Sequence, residues 1–438
     1  MYFFVSFLLL LSGVIAVTNE DYRHQHNDKS PAEFNFRLST KSPYPWESAN
    51  PRPGMLFLKK CKLEQVQVIS RHGTRYPGKK DIKEFDALPS HFNKSELTGK
   101  YGWIQIWKNP FPIEKEDILD KQGERDLYLL GKRLAKHYDH FLSTFRYDET
   151  TVEFRSSSES RSGQSGSAFA IGLFEGRGTL TRSHIQPVYI PTLPKGQDTQ
   201  LAPKYACQKW QNEVKNDKKG AREQAKFESE QLAGIASRLS GLFSIKVDTQ
   251  LVKTIYKACA FEWAIFRRKE TWCSLLNLDD FKLLEYYEDI EDYYKHSYGN
   301  PLNEYVGCDL ATSLVKDMEA GLKKGVFKFG HSETVNFLYS ALGFFKDERE
   351  LDANWTKEDR ERRKFRGSII SPFAANLIFE LYNCANDGKV IQAYVNEQRV
   401  EIPNCKGVCK IDNFKQILGD KFECNFNKIC ENKDAMSN

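Results

Sequence analysis

The chain has 438 residues, of which 40% are hydrophobic and 13% aromatic, and this composition excludes a disordered or fibrous protein. A chain of this length can form a large hydrophobic core or two lobes, and its length excludes a single small domain. The net charge of +5 is mild and spread along the chain, so it neither requires nor excludes an anionic partner.

The chain begins with an uncharged apolar run, MYFFVSFLLLLSGVIA, that ends at Ala16. Val14 and Ala16 have the small-residue spacing of a signal-peptidase site, so residues 1–16 are interpreted as a secretory signal. A membrane anchor is the alternative, but the run is shorter than the roughly 20 residues that a spanning helix needs. Residues 17–54 are polar and proline-rich, and we expect them to form an arm on the surface.

Three strand, turn and helix units follow along the chain. The predicted strands are EQVQVIS, TVEF and VFKF, and the polar turns are RHGTRYP, RSSSESRSGQSGS and GHSE. Helices are predicted around 124–141, 168–174 and 335–342, where apolar side chains recur at helical spacing. Near the end of the chain, KVIQAYVNEQRVEI is typical of a hairpin.

Residues 205–300 are dense in lysine, glutamate and aromatic residues at helical spacing. We therefore expect an α/β fold, with a central, mostly parallel sheet flanked by helices and a smaller inserted helical domain. The expected parts are a discontinuous α/β domain at 55–200 and 301–420, a helical domain at 201–300, and a C-terminal tail at 421–438.

Loops at the carboxyl ends of strands converge in open α/β sheets and form the ligand crevice. Charged residues in the three turns could therefore meet in one pocket. The candidates are Arg71, His72, Arg75, Lys80, Arg155, Arg161, His331 and Glu333.

Each candidate has a simpler explanation when it is taken singly. A lone arginine in a turn is usually a solvated surface group. His72 could be a core histidine, or a metal ligand together with His331 if acidic residues joined them. Glu333 suits the first turn of a helix by its charge, and Ser332 suits the N-cap position. None of these explanations accounts for the combination Arg-His-Gly-x-Arg.

That combination is suited to phosphate chemistry. Arg71 and Arg75 offer forked donors that match phosphate oxygens. The neutral imidazole of His72 can attack phosphorus and form a covalent intermediate, while arginines stabilise the charge in the transition state. A carboxyl group beside a second histidine, as in HSE, can protonate the departing alkoxide. We expect this chemistry to need no metal and no cofactor.

The motif RHGTRYP resembles the signature of the histidine acid phosphatases, and FGHSETVNFL resembles the His-Ala-Glu element of their multiple inositol-polyphosphate phosphatase branch. Other segments are similar to that branch too: CAFEWAIFRRKETWC, FKLLEYYEDIEDYYKHSYG and RKFRGSIISPFAANLIFELYNC. The resemblance implies a phosphoglycerate-mutase-like α/β domain with a smaller helical domain over the pocket.

The resemblance also implies roles for the first two turns. His72 would be the residue that is phosphorylated during turnover, and Arg71 and Arg75 would hold the scissile phosphate. The third phosphate-binding arginine of the family follows a serine-rich turn, which Arg161 matches better than Arg155.

In the third turn, His331 would hold a phosphate oxygen or the leaving oxygen, and Glu333 would be the proton donor. Most relatives carry aspartate at the donor position, so the glutamate indicates the inositol-polyphosphate branch. Ser332 replaces the usual alanine, a change between small residues.

The expected function is that of a secreted phosphomonoesterase acting on inositol polyphosphates such as phytate. The alternative substrates are 2,3-bisphosphoglycerate and general phosphomonoesters, and the alternative class is a non-catalytic secreted protein that binds polyanions. We expect a small phosphorylated molecule as the binding partner, no nucleic acid, and no transmembrane segment in the mature chain.

All ten cysteines follow residue 16, and an even number in an exported protein indicates disulfides. A zinc site is the alternative, but the sequence has no C-x-x-C pair with a nearby histidine. The expected pairs are Cys61 with Cys384, which would tie the two halves of the site together, Cys259 with Cys273, and Cys424 with Cys430.

Two sequons, at Asn93 and Asn354, fit the secretory route. The C-terminal sequence ENKDAMSN is polar and has neither a lipid-anchor signal nor a retrieval tetrapeptide. We therefore expect release from the cell, with the lumen of the endoplasmic reticulum as the alternative location.

Overall fold

The computed structural model describes residues 37–45, 60–92, 97, 99–405 and 408–431. The expected signal segment 1–16 and the sequon Asn93 lie outside these residues. No helix in the described part of the chain has the length and apolar character that crossing a membrane requires.

The strands form one sheet in the spatial order β2-β3-β1-β4-β5-β6, with β7 paired to β5. The strands are β1 Cys61–Arg71, β2 Val152–Ser156, β3 Gly325–Gly330, β4 Asn376–Cys384, β5 Gly388–Val395, β6 Gln398–Val400 and β7 Cys409–Lys410.

The α-helices are α1 Lys79–Ala87, α2 Trp103–Ile106, α3 Lys121–His137, α4 Asp139–Leu142, α5 Ser160–Phe174, α6 Pro203–Ala206, α7 Lys218–Phe227, α8 Ala233–Phe243, α9 Thr249–Phe266, α10 Leu278–His296, α11 Leu302–Val306, α12 Cys308–Ala320, α13 Ser332–Leu342, α14 Lys357–Arg362, α15 Gly367–Ile370, α16 Ile411–Leu418 and α17 Phe426–Ile429. Helical turns of the 3₁₀ type occur at Ser39–Lys41, Leu88–Phe92, Gly99–Tyr101, Ile113–Lys115, Lys195–Gln197, Trp272–Leu275 and Gly419–Lys421. Two π-helical turns lie at Trp210–Val214 and Glu228–Leu232.

The α/β class and the central sheet agree with the prediction, but the sheet is mixed rather than mostly parallel. Strands β2, β3 and β1 are parallel neighbours, whereas β4, β5, β6 and β7 all join by antiparallel pairing. Short turns connect β4 to β5 and β5 to β6, and they leave no room for the crossover helix that parallel pairing of these strands would need. Only the parallel half therefore brings carboxyl ends of strands to a common edge.

Alternation along the strands separates the core into two large clusters. On β1, Val66 and Val68 face one side of the sheet, where they pack with residues of α3 and α5. Ile69 faces the other side, where the helices of the middle of the chain pack with α13. Both faces of the sheet are therefore covered, as its apolar strands require. The predicted domain boundaries stay predictions.

The described part of the expected surface arm is buried instead. Leu38 is fully buried, and the Tyr44 side chain is buried with its hydroxyl donating to Glu397 at 2.8 Å. Arg37 forms an ion pair with Glu285 of α10 at 3.2 Å. The polar, proline-rich composition of this segment did not indicate burial. Its polar side chains can be buried because they form hydrogen bonds and ion pairs with residues that are distant in the chain.

The serine-rich segment after β2 is mostly helix rather than turn, because α5 begins at Ser160. Its small residues allow close packing. A Cβ atom on Gly172 would lie 2.1 Å from the carbonyl oxygen of Tyr128 in α3, so the two helix backbones nearly touch there. Small residues in this segment therefore serve helix packing as well as the turn.

All ten cysteines are paired, and this includes the expected pairs Cys61–Cys384 and Cys259–Cys273. The remaining disulfides are Cys207–Cys430, Cys308–Cys424 and Cys405–Cys409.

The expected pair Cys424–Cys430 is wrong. The two cysteines lie on either side of the short helix α17 and face different partners. Cys424 bonds to the start of α12, while Cys430 bonds to Cys207 after α6. Sequence proximity was therefore a poor guide, and the segment interpreted as the beginning of a tail is tied to the body at both cysteines.

Removing the long-range disulfide should destabilise the protein strongly. Cys61 and Cys384 are 323 residues apart and pair β1 with β4, so the bond restricts the unfolded chain over a long loop. Replacing both by alanine should lower the free energy of unfolding by roughly 5 to 6 kcal/mol in the chain-entropy account, measured by urea denaturation without reductant. The matched control is the Cys259–Cys273 pair, 14 residues apart, for which the same chain-entropy account gives about 3 kcal/mol. A larger loss for the short-range pair would contradict this explanation.

Candidate active site

The first turn begins where β1 ends, and the start of α3 supports it from behind. Gly73 packs directly on Gly123, because a Cβ atom on Gly73 would lie 2.2 Å from the Gly123 carbonyl oxygen. The hydroxyl of Thr74 donates to Asp126 at 2.8 Å, and the Thr74 carbonyl accepts from the Asp120 amide at 2.9 Å. A side chain at position 73 would separate the turn from this helix, so the glycine fixes the turn's position.

His72 is buried, with 3% of its surface exposed, and its ring is held by the backbone. Its Nδ1 lies 2.8 Å from the Gly73 carbonyl oxygen. A carbonyl oxygen only accepts, so Nδ1 carries the proton and Nε2 carries the free lone pair. Burial, followed by the nearby charge of Arg71, holds the pKa of His72 well below its usual range. The imidazole is therefore neutral.

Arg71 lies beneath the turn in a nearly closed environment. Its Nη1 donates to the carbonyl oxygens of Thr40 and Ser371, the second at 2.7 Å, and its guanidinium lies 4.4 Å from the centre of the Phe373 ring. Burial and the charge of Arg75 lower its pKa to about 9, so it is still cationic in acid and neutral solution. The part of the expected arm that holds Arg71 thus belongs to the site.

Arg75 and Arg161 complete a group of three arginines. Arg75 forms an ion pair with Asp117 at 2.9 Å, and Arg161, in the first turn of α5, pairs with Glu159 at 3.3 Å. The Nε atoms of Arg71 and Arg161 are buried without a hydrogen-bond partner among the described residues. Such donors favour an anionic ligand, which would satisfy them.

His331 follows β3 and faces His72, with the two ring centres 5.6 Å apart. Its Nε2 lies 2.9 Å from the hydroxyl of Ser157, which follows β2. Burial, with Arg161 as a further cause, lowers the pKa of His331 to about 4. His331 is the N-cap residue of α13, so the expectation of Ser332 at that position was wrong by one residue.

Glu333 lies in the first turn of α13 and forms an ion pair with Lys204 of α6 at 2.8 Å. Burial alone would raise the pKa of Glu333. The Lys204 ammonium outweighs that effect, with His331 and His296 contributing, and holds the pKa well below its usual range. The sequence gives no sign of Lys204, which stands in no motif among 64 lysines and arginines.

Two further residues of the site come from the end of α10. Asp292 and His296 are four residues apart and pair at 3.0 Å. The Asp292 carboxylate influences the pKa of both Arg71 and Lys204, so it belongs to the same charged group. The spacing of four residues on a predicted helix was the available signal, since such pairs share a face.

Two of the sequence candidates are not brought to this group. Arg155 points from β2 toward a different cluster, where it donates to Gln200 at 3.2 Å and lies 3.9 Å from Asp198. Its strand position explains this, because alternate residues of a strand face opposite sides of the sheet. Lys80 is on α1, where its side chain is 84% exposed and lies 3.7 Å from Glu84.

The metal alternative for His72 and His331 requires acidic side chains arranged with them so that the group can hold an ion. Within the described ranges, no group of three or more histidine, cysteine, aspartate and glutamate side chains is placed to hold a metal ion. The cysteines are all in disulfides, so none is a thiolate ligand.

A family model described as "Histidine phosphatase superfamily (branch 2)" matches residues 62–396. Among curated proteins, "Multiple inositol polyphosphate phosphatase 1" of Dictyostelium discoideum is 28% identical over 436 residues, an alignment that covers 84% of this chain and 69% of the relative.

Solved structures show the same fold. The phytase from D. castellii has a TM-score of 0.75 at 19% identity, covering 95% of this chain and 92% of that one. The Bifidobacterium longum multiple inositol polyphosphate phosphatase, solved in complex with inositol hexasulfate, has a TM-score of 0.70 at 15% identity, covering 89% of this chain and 98% of the other.

Proposed function

The chain belongs to the histidine phosphatase superfamily, branch 2, and from that premise we propose that it removes phosphate from inositol polyphosphates through a phosphohistidine intermediate. It is a phosphoric monoester hydrolase by family. The inositol polyphosphate substrate is supported by the names of the relatives and by the three neighbouring arginines Arg71, Arg75 and Arg161.

The tautomer and the charge of the His72 ring are the observation that carries this proposal. Its Nδ1 proton is committed to the Gly73 carbonyl, so Nε2 has a lone pair available for attack. Its lowered pKa keeps the ring neutral, and hence nucleophilic, as the pH falls into the acid range. A histidine that only bound anions would bind them more strongly in its protonated, positively charged form.

Arg71, Arg75 and Arg161 are proposed to hold the phosphate that is removed. Guanidinium groups match phosphate oxygens in geometry and stabilise the charge that these oxygens carry in the transition state. The buried, unpartnered Nε atoms of Arg71 and Arg161 support this role. His331, whose ring centre lies 5.6 Å from that of His72, is proposed to contact a phosphate or leaving oxygen.

The reaction then proceeds in two balanced steps. In the first, His72 Nε2 forms a bond to phosphorus while the bond from phosphorus to the alkoxide oxygen breaks, and protonated Glu333 gives its proton to that oxygen. In the second, water attacks phosphorus, the bond to Nε2 breaks, and Glu333 takes a proton from the water. Phosphate leaves, and both side chains return to their starting states.

Glu333 is ionised in the ligand-free site, because its pKa is held well below the usual value. Donation in the first step therefore requires that substrate binding raises this pKa. A phosphorylated substrate acts in that direction, since added negative charge favours the protonated carboxyl group.

We propose that the protein is exported, with the lumen of the endoplasmic reticulum as the alternative location. Five disulfides that use every cysteine support folding in an oxidising compartment. Asn354 is exposed, as the acceptor of a glycan must be.

A parallel assay of phosphate release from phytate, 2,3-bisphosphoglycerate and p-nitrophenyl phosphate tests the proposed activity. We expect phytate to have the highest kcat/KM. A preference for bisphosphoglycerate, or similar values for all three, would replace the proposed substrate but retain the phosphatase. Binding of phytate without any phosphate release would instead identify a polyanion-binding protein.

Activity should persist in excess EDTA, because arginine side chains rather than a metal ion neutralise the phosphate in this site. The measurement is phosphate release from phytate after dialysis against chelator, with addition of zinc or magnesium as the control. Loss of activity that either ion restores would contradict the proposed mechanism and favour a metal bound by His72 and His331.

A further inference from the structure

The ion pair between Lys204 and Glu333 lies inside the site, with 17% and 15% of the two side chains exposed. We propose that Lys204 is a positioning residue for the proton donor: its ammonium group binds the Glu333 carboxylate in the empty site and moves to a phosphate oxygen of the bound substrate, so that Glu333 takes up a proton on binding. This inference rests on the proposed function.

The surroundings of Glu333 make Lys204 the suitable counterion. The charged and titratable groups that face Glu333 are His331 from its own helix, Lys204 from α6, Asp292 and His296 from α10, and Arg71 and Arg75 from the first turn. Lys204 is the one with a direct ion pair to the carboxylate. The arginines are held by other partners, so Lys204 is the cation most able to move.

The backbone around Lys204 is fixed, although its side chain is long. Leu201, three residues before Lys204, donates its amide to Asp198 at 2.9 Å, and its carbonyl accepts from the Thr334 hydroxyl at 2.7 Å. Cys207, three residues after Lys204, is bonded to Cys430. The ammonium group therefore moves by side-chain rotation about an anchored backbone, which confines it to the space between Glu333 and the site.

Substrate binding changes two charges near Glu333 at once. The phosphate brings negative charge close to the carboxylate, and Lys204 finds a second anionic partner. Both effects favour protonation of Glu333, which takes its proton from solvent. After the second chemical step Glu333 is again protonated, and product release lets Lys204 pair with it and the proton return to solvent. Through Lys204, binding of the substrate thus determines whether Glu333 carries the proton that it donates.

Proton uptake on ligand binding measures this coupling directly. Inositol hexasulfate is a suitable probe because its sulfate groups do not titrate in the acid and neutral range, and uptake follows from calorimetry in two buffers of different ionisation enthalpy. At pH 6 we expect the wild-type protein to take up about one proton more than Glu333→Gln. Equal uptake by these two proteins would overturn the proposal.

Substitutions of Lys204 then identify the counterion. In Lys204→Met, Glu333 has lost its cation and is more protonated before binding, so the uptake assigned to Glu333 should fall below about half. Lys204→Arg should restore it. The matched control is Lys195→Met, which removes a lysine that pairs with Glu159 at 2.6 Å instead, and should keep the wild-type uptake. Wild-type uptake in Lys204→Met would overturn the proposal.

A kinetic readout covers the case in which a variant binds the probe weakly. The alkaline limb of kcat/KM for phytate should move to higher pH in Lys204→Met, because the free enzyme keeps its donor proton to higher pH. An unchanged limb, in a variant with the wild-type thermal midpoint, would refute the role of Lys204. Absence of phosphate release by the wild-type protein would refute the proposed function itself, so the two failures are distinguishable.

Discussion

Replacing His72 with alanine should abolish phosphate release from every phosphomonoester, including p-nitrophenyl phosphate. Removal of the nucleophile of a serine protease lowers turnover by roughly 10⁶-fold, and we expect a loss of similar order here. The nearest other imidazole, His331, cannot take over, because its Nε2 is engaged by Ser157 at 2.9 Å. The measurement is steady-state release of p-nitrophenol and of phosphate.

Two controls make this result interpretable. His140→Ala removes an exposed histidine and should leave activity unchanged. The thermal midpoint and the affinity for inositol hexasulfate show whether His72→Ala is folded with its arginines in place. Turnover near the wild-type rate in a folded His72→Ala protein would exclude the phosphohistidine intermediate.

Replacing Glu333 with glutamine should separate substrates by their leaving groups. The amide keeps the shape of the carboxyl group but cannot donate a proton. Loss should be on the order of 10² to 10⁴ fold for phytate, whose inositol alkoxide leaves poorly without a proton. It should be much smaller for the first step with p-nitrophenyl phosphate, because the phenolate leaves unaided.

Pre-steady-state kinetics are needed because Glu333 is proposed to act in both steps. If dephosphorylation becomes limiting, the steady-state rates of both substrates fall together, but the initial burst of p-nitrophenol stays fast. A burst slowed as much as phosphate release from phytate would show that Glu333 is not the donor.

The structure provides a matched control for this experiment in Asp292, a second carboxylate of the site. Asp292→Asn should not show the selective loss with phytate, because the Asp292 carboxylate is committed to His296. A selective loss in Asp292→Asn, with none in Glu333→Gln, would assign proton donation to Asp292.

The chemistry of the first turn was predictable because it is local. Arg71, His72 and Arg75 lie within five consecutive residues after an apolar strand, so one short pattern contains the proposed nucleophile and two proposed phosphate ligands. The β3 unit with His331 and Glu333 was predictable for the same reason. The parallel pairing of β1, β2 and β3 then brings these turns to one edge, as the general rule for such sheets predicts.

The predicted hairpin near the end of the chain is confirmed as β5 and β6, but the antiparallel pairing of β4 with β1 and two of the disulfides were not predictable in this way. The direction of β4 relative to β1 depends on the path of the roughly 300 residues between them. The residues in and next to the two strands do not indicate this direction. The pairing of Cys424 with Cys308 and of Cys430 with Cys207 depends equally on where α17 packs.

The sequence by itself therefore predicted the family, the α/β class and the residues that are proposed to act on phosphorus, because the motifs that indicate them consist of residues that are neighbours in the chain. Only the tertiary structure decided that Arg161 rather than Arg155 joins the site, that Thr40 and Ser371 hold Arg71, and that Lys204 pairs with Glu333. The contacts of Arg71 and Glu333 join residues that lie between 31 and 300 positions apart in the chain. Arg155 and Arg161 are close in the chain but lie in a strand and in a helix, which direct them to different places. Burial and electrostatics at such contacts depend on the packed fold, since charge interactions act through space and not along the chain.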